Sequence, residues 1–150
     1  MGLLRRLRNM RKEDRYDSLI KYYAEEEGFT GKDWMRLKAQ IKAESAFSPN
    51  AQSGVGAKGL GQFMDPTWRE WGKGHNVFNP EANIDAQARY MRWLLNRVTT
   101  WECAFAAYNW GIGNVLRVWQ DPNWKQRLPQ ETKDYLERIE RYYEEYVNGN

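Results

Sequence analysis

The sequence predicts an all-α, single-domain fold. Three observations carry that prediction: apolar residues recur at steps of three and four along most of the chain, no stretch alternates apolar and polar residues long enough for a sheet, and the breaks fall at glycine and proline. With 150 residues, 41% of them hydrophobic and 15% aromatic, the chain can bury a core without covalent staples. Its one cysteine, Cys103, cannot form an internal disulfide, and no Cys/His cluster has metal-ligand spacing, so packing must hold the fold and neither a metal nor any other cofactor is called for.

Residues 1–12 read as a basic amphipathic arm, with Arg5, Arg6, Arg8, Arg11 and Lys12 interleaved with Leu3, Leu4, Leu7 and Met10; residues 13–150 form the domain. Over 13–27, Tyr16, Leu19, Ile20, Tyr23 and Ala24 keep helical spacing and Gly28 is a stop. Asp33 is placed to cap a second helix, in which Trp34, Leu37 and Ile41 make a stripe continued by Glu44, while Lys38 and Lys42 point elsewhere. Residues 46–62 hold four glycines and a proline, which marks a long structured loop with room for a small hairpin at most. A short helix over 66–71 and a second loop over 76–80 follow. Ile84, Ala88, Met91, Leu95 and Val98 predict a core-facing helix over 80–98. Two shorter helices are expected over 102–109 and 113–119, then a connection over 121–129. The last helix spans 130–147, with Tyr135, Ile139, Tyr142 and Tyr146 on one face and Glu137 and Arg141 able to pair on the other.

Glu44 is the residue with chemical promise. It lies at the end of an amphipathic helix, on its apolar side, where desolvation and the negative end of the helix dipole both disfavour the carboxylate. A raised pKa suits a general acid. Position alone still favours a solvated glutamate at a helix end.

Its surroundings reverse that preference. Lys42-Ala43-Glu44-Ser45-Ala46-Phe47-Ser48-Pro49-Asn50-Ala51, then Ser53 and Gly56-Ala57-Lys58-Gly59-Leu60-Gly61-Gln62-Phe63-Met64, resembles the signature of the soluble lytic transglycosylases. Asn79-Pro80 with Asn83-Ile84-Asp85-Ala86-Gln87-Ala88-Arg89-Tyr90-Met91 is similar to the next block of that family. Ala106-Ala107-Tyr108-Asn109-Trp110-Gly111-Ile112-Gly113-Asn114-Val115 and Leu128-Pro129-Gln130-Glu131-Thr132-Lys133-Asp134-Tyr135-Leu136 resemble two more. The four blocks stand in family order.

The resemblance implies a compact, goose-type lysozyme-like fold acting on peptidoglycan glycan strands. It implies that Glu44 is the sole catalytic acid and that the product carries a 1,6-anhydromuramic end. It also implies that Ser53, Gln62 and Met64 line sugar subsites, that Tyr108 and Asn109 face the acid, and that Glu131 contributes from the last block. Ordinary loop hydrogen bonding for Ser53 and Gln62, and helix-dipole stabilisation for Glu131, stand beside those roles. The chain departs from the family at Gly61 (often Met), Gln87 (Gly), Trp110 (Ala) and Ile112 (Pro). Tyr135, Tyr142 and Tyr146 read as core, His75 as a surface loop residue and Cys103 as a small buried side chain.

A goose-type lysozyme using water, and an inactive virion or glycan-binding protein of the same fold, are the alternatives. The net charge of +3 adds mild attraction to anionic partners. The arm has apolar runs only two residues long, which do not make an export signal, and no later segment is apolar enough to span a bilayer. A wall-cutting domain with these features is expected to be a bacteriophage product made in the host cytoplasm, with residues 1–12 contacting virion or tail proteins, anionic membrane or nucleic acid.

Overall fold

The protein's computed structural model describes residues 2–149, with the side chains of 7–9 left aside; Met1, Leu7 and Arg8 of the expected arm therefore fall outside it. Eight α-helices are described: α1 Gly2–Asn9, α2 Asp17–Glu26, α3 Asp33–Ser45, α4 Asp65–Trp71, α5 Pro80–Val98, α6 Trp101–Trp110, α7 Ile112–Leu116 and α8 Gln130–Val147. Short 3-10 turns occupy Lys12–Asp14 and Trp124–Arg127. Among the described residues there is no strand; the loop over 46–62 is pinned by two isolated antiparallel bridges, Gln52 with Lys58 and Lys58 with Phe63.

The strongest helical patterns give the cleanest boundaries. Helix α5 begins where Asn79 accepts the Ala82 N–H in its side chain and Pro80 presets the first turn. Helix α6 begins one residue before its expected start because Thr100 caps it through the Cys103 N–H. Where α3 starts, Asp33 is not the cap: it lies in the first helical turn, after Lys32, and makes no capping bond. The expected helix over 13–27 is split, since Asp14 in the 3-10 turn and Asp17 at the head of α2 both turn toward Lys38. Over 113–119 the helix starts at Ile112 and ends at Leu116.

Ile20 of α2, Leu37 and Ile41 of α3, Ile84, Met91, Leu94 and Val98 of α5, and Tyr135 of α8 are buried in one core. On α5 it is Leu94 that faces fully inward, with Leu95 packed at the margin. Helices α3 and α8 pack most extensively against each other. Two lysines of α3 depart from expectation at that seam. Lys38 is buried, its ammonium 2.9 Å from both Asp14 Oδ1 and Asp17 Oδ1 and 4.5 Å from the Tyr146 ring centroid. Lys42 reaches Glu13 at 3.3 Å and lies over Tyr142. On α8, Arg141 lies over the Tyr142 ring, where pairing with Glu137 was expected.

Candidate active site

Helix α3 delivers Glu44 on its last turn and then stops abruptly. Ala46 and Phe47 both take left-handed backbone angles, with φ of 49° and 61°. Two consecutive non-glycine residues in that region are strained, and such strain persists only where surrounding packing imposes it. Phe47 supplies the packing, being buried in the core. The turn leaves Glu44 at the helix end with partial access to solvent.

The Tyr135 hydroxyl donates to Glu44 Oε2 at 2.8 Å. Tyr135 was expected to be core only, and its ring is core, but its polar tip belongs to the site. Aromatic spacing on a helix carries no signal for a hydroxyl that crosses to another helix. Burial pushes the Glu44 carboxyl from its ordinary 4.5 up to about 8; the Tyr135 hydrogen bond and the charge of Arg138 pull it down, and the charge of Glu131 pushes it up. Glu44 is thus protonated at neutral pH and open to solvent on one side, the state a general acid requires.

The remaining expected residues take distinct places. Tyr108 on α6 donates its hydroxyl to the Gly61 carbonyl at 2.7 Å, and burial, with Glu44 nearby, raises it well above the ordinary tyrosine value. Tyr108 therefore ties the glycine-rich loop to the floor beside the acid. A Cβ on Gly61 would meet the Tyr108 hydroxyl at 2.8 Å and Asn83 Oδ1 at 2.9 Å, which accounts for glycine where the family often has a large side chain. Asn83 also accepts the Gly61 N–H at 2.7 Å.

Asn109 accepts from the Thr132 hydroxyl at 2.8 Å, locking α6 to the first turn of α8. Glu131 is exposed on that turn, four residues before Tyr135 and so on the same helix face. Ser53 Oγ accepts the Ala57 N–H inside the loop, and Gln62 donates to the carbonyls of Ala51 and Gly59. Gln62 has φ of 53°, another left-handed non-glycine residue in the loop. Met64 is exposed where the loop enters α4. Trp110 and Ile112 pack at the margin of the core. His75 is exposed, and its carbonyl accepts from the Trp68 indole. Cys103 is buried, which pushes its thiol up and away from reactivity.

Among the described residues no group of three His, Cys, Asp or Glu side chains is placed to hold a metal ion. A separate cleft lined by Glu102, Lys125, Leu128 and Glu137 contains none of the residues that touch Glu44.

Residues 21–130 match the Transglycosylase SLT domain family, more than half of the chain. The chain belongs to that family. A membrane-bound lytic murein transglycosylase F of Desulfosudis oleivorans is 35% identical to this SLT domain over 154 residues, covering 91% of the chain and 33% of the relative. Its counterpart in Marinobacter nauticus is 37% identical over 109 residues, covering 67% of the chain and 21% of the relative. The SLT domain thus spans a third or less of these relatives' length. Among solved structures, the 70 kDa soluble lytic transglycosylase of Escherichia coli superposes with a TM-score of 0.76 at 27% identity, over 93% of this chain and 26% of that one. An inactive mutant of the lytic transglycosylase Slt from Pseudomonas aeruginosa gives 0.75 at 26% identity, over 90% of this chain and 25% of that one. The helical, lysozyme-like architecture expected from the sequence is therefore the architecture found. Tyr135 lies beyond the matched span, on α8.

Proposed function

We propose that this SLT domain cuts peptidoglycan glycan strands between N-acetylmuramic acid and N-acetylglucosamine as a lytic transglycosylase. Glu44 gives its proton to the glycosidic oxygen as the bond from C1 breaks. The C6 hydroxyl of the muramic residue then closes onto C1 and returns a proton to Glu44, leaving a 1,6-anhydro end. Atoms balance without water, and one carboxyl serves as acid and then base. Ordinary glycosidases use two carboxylates for these duties.

The observation that carries this reading is the setting of Glu44. It is held by Tyr135 on Oε2, desolvated until it keeps its proton near neutral pH, and open to solvent on its other side. Glu131, the carboxylate whose charge bears on it, is exposed and solvated. Mass spectrometry of glycan fragments released from purified cell walls tests the reading. Anhydro products, lighter by one water than hydrolysis products, are expected, and Glu44→Gln is expected to clear no zymogram while staying folded. Reducing-end products would make the protein a goose-type lysozyme. Equal clearing by wild type and Glu44→Gln would remove Glu44 from the chemistry, and no clearing by a folded wild type would leave a glycan-binding or virion structural protein.

A finer part of the proposal is that the protein is phage-encoded and carried to the wall by residues 1–12. Its support is the arm itself: α1 exposes Leu3 and Leu4 together with Arg5 and Arg6, an amphipathic basic surface suited to an anionic partner. Deletion of 1–12 is expected to reduce incorporation into particles, scored by immunoblot of purified virions. Unchanged incorporation sinks this part and leaves the chemistry standing.

A further inference from the structure

Behind Glu44 lies a run of buried polar side chains from three helices. Tyr135 Oη, which donates to Glu44, accepts at 3.0 Å from Gln40 Nε2 on α3. Gln40 Oε1 in turn accepts at 2.7 Å from Gln87 Nε2 on α5, which also donates to the Leu37 carbonyl at 3.2 Å. Gln40 and Gln87 are completely buried. Two uncharged amides deep in a helical core are unexpected on burial grounds, and Gln87 stands where the family resemblance places glycine. The arrangement also leaves Gln87 Oε1 buried without a partner, a penalty that an apolar residue would avoid.

The donor sequence has a direction. Gln87 Nε2 donates to the backbone carbonyl of Leu37, which can only accept, so the Gln87 amide sits one way round. Its N–H then fixes the Gln40 amide with Oε1 toward α5 and Nε2 toward Tyr135. A tyrosine hydroxyl has one proton. With its oxygen already accepting from Gln40, that proton goes to Glu44 Oε2, and the acidic proton of Glu44 is left on Oε1. A flipped Gln40 amide would present its oxygen to Tyr135 and take the hydroxyl proton away from Glu44.

We infer that Gln87 and Gln40 are positioning residues for the reaction, a relay that aims the Tyr135 hydroxyl at Glu44 and so assigns the acidic proton to the substrate-facing oxygen. The inference rests on the lytic activity proposed above. The groups facing Glu44 besides Tyr135 are Arg138 and Glu131 on α8 and Tyr108 on α6, and none of them bonds to Gln40 or Gln87.

The test uses Gln40→Leu and Gln87→Met, each alone and combined with Tyr135→Phe, assayed on purified cell-wall glycan after circular dichroism confirms folding. Each single variant is expected to lower kcat by about tenfold or more with KM little changed. Each is also expected to move the alkaline limb of the pH profile upward, because the carboxylate loses a donor. In the Tyr135→Phe background the further loss is expected to vanish, since the relay acts only through that hydroxyl. Folded single variants with wild-type kcat and pH profile, or losses that add in full to that of Tyr135→Phe, overturn the inference.

Nuclear magnetic resonance of the wild type supplies a readout free of activity and of variant folding. Slowly exchanging side-chain amide protons on both glutamines, with a cross-peak from the Gln40 amide to the Tyr135 ring, are expected. Amides exchanging at solvent rates, or a Gln40 amide with no contact to Tyr135, overturn the relay. A wild type that releases no glycan while showing these signals refutes the proposed activity and leaves the geometry intact.

Discussion

In the proposed reaction, Glu44 couples chemistry to stability. The unfolded chain releases the Glu44 proton above about 4.5, whereas the folded protein holds it up to about 8. Between those values the folded state binds more protons, so stability conferred by the neutral carboxyl is complete below pH 4.5 and is lost as pH rises through 8. Glutamine mimics the neutral form at every pH. Glu44→Gln is therefore expected to melt higher than wild type at pH 8, by about 4 kcal/mol or roughly 10 °C, and at the same temperature at pH 4. Thermal melts at both pH values check this; an equal shift at pH 4 would mean that packing, and not titration, is responsible. In the same window the wild-type turnover is expected to decline as pH rises through about 8, where the acid loses its proton.

At the level of elements, the glycine-rich loop is held by a few short contacts to α5 and α6, and Gly61 is where they converge. Gly61→Ala puts a methyl group within 3 Å of both the Tyr108 hydroxyl and Asn83 Oδ1. The substitution is expected to cost about 1–3 kcal/mol in thermal or urea unfolding and to disturb the floor beside Glu44, with a loss of turnover larger than the stability change explains. What could be read in advance divides along physical lines. Helices α5 and α8 were legible to their ends because long periodic stripes and proline starts are local signals. Glu44 stood out as a candidate because its helix pattern and each of the four family blocks are local sequence signals. The functions of Tyr135, Gln40 and Gln87 were not. Each belongs to a helix whose pattern it fits or mildly violates, and each acts only through a partner 47 or more residues away. The burial of Lys38 was illegible for the same reason, because its two carboxylates arrive from other elements.

Over the whole molecule, those carboxylates make the segment before α2 part of the domain. Lys38 joins the 3-10 turn at Lys12–Asp14, α2, α3 and α8 in one buried contact. Lys38→Met removes the ammonium but leaves Asp14 and Asp17 facing the same site. Because both acids keep some solvent access, the expected loss is moderate, about 2 kcal/mol in equilibrium unfolding. A variant as stable as wild type would show that the aspartates simply rehydrate. The folded unit consequently exceeds the matched span of residues 21–130, reaching back to Asp14 and forward to Tyr146.

That forward reach sets an order of assembly. Glu44 and Tyr135 are 91 residues apart in the chain, so their contact closes a long loop between α3 and α8. Until α8 docks against α3, the carboxyl lacks the Tyr135 hydroxyl that holds Oε2. In the proposed reaction the acid is therefore aimed only once two distant stretches of the chain have met.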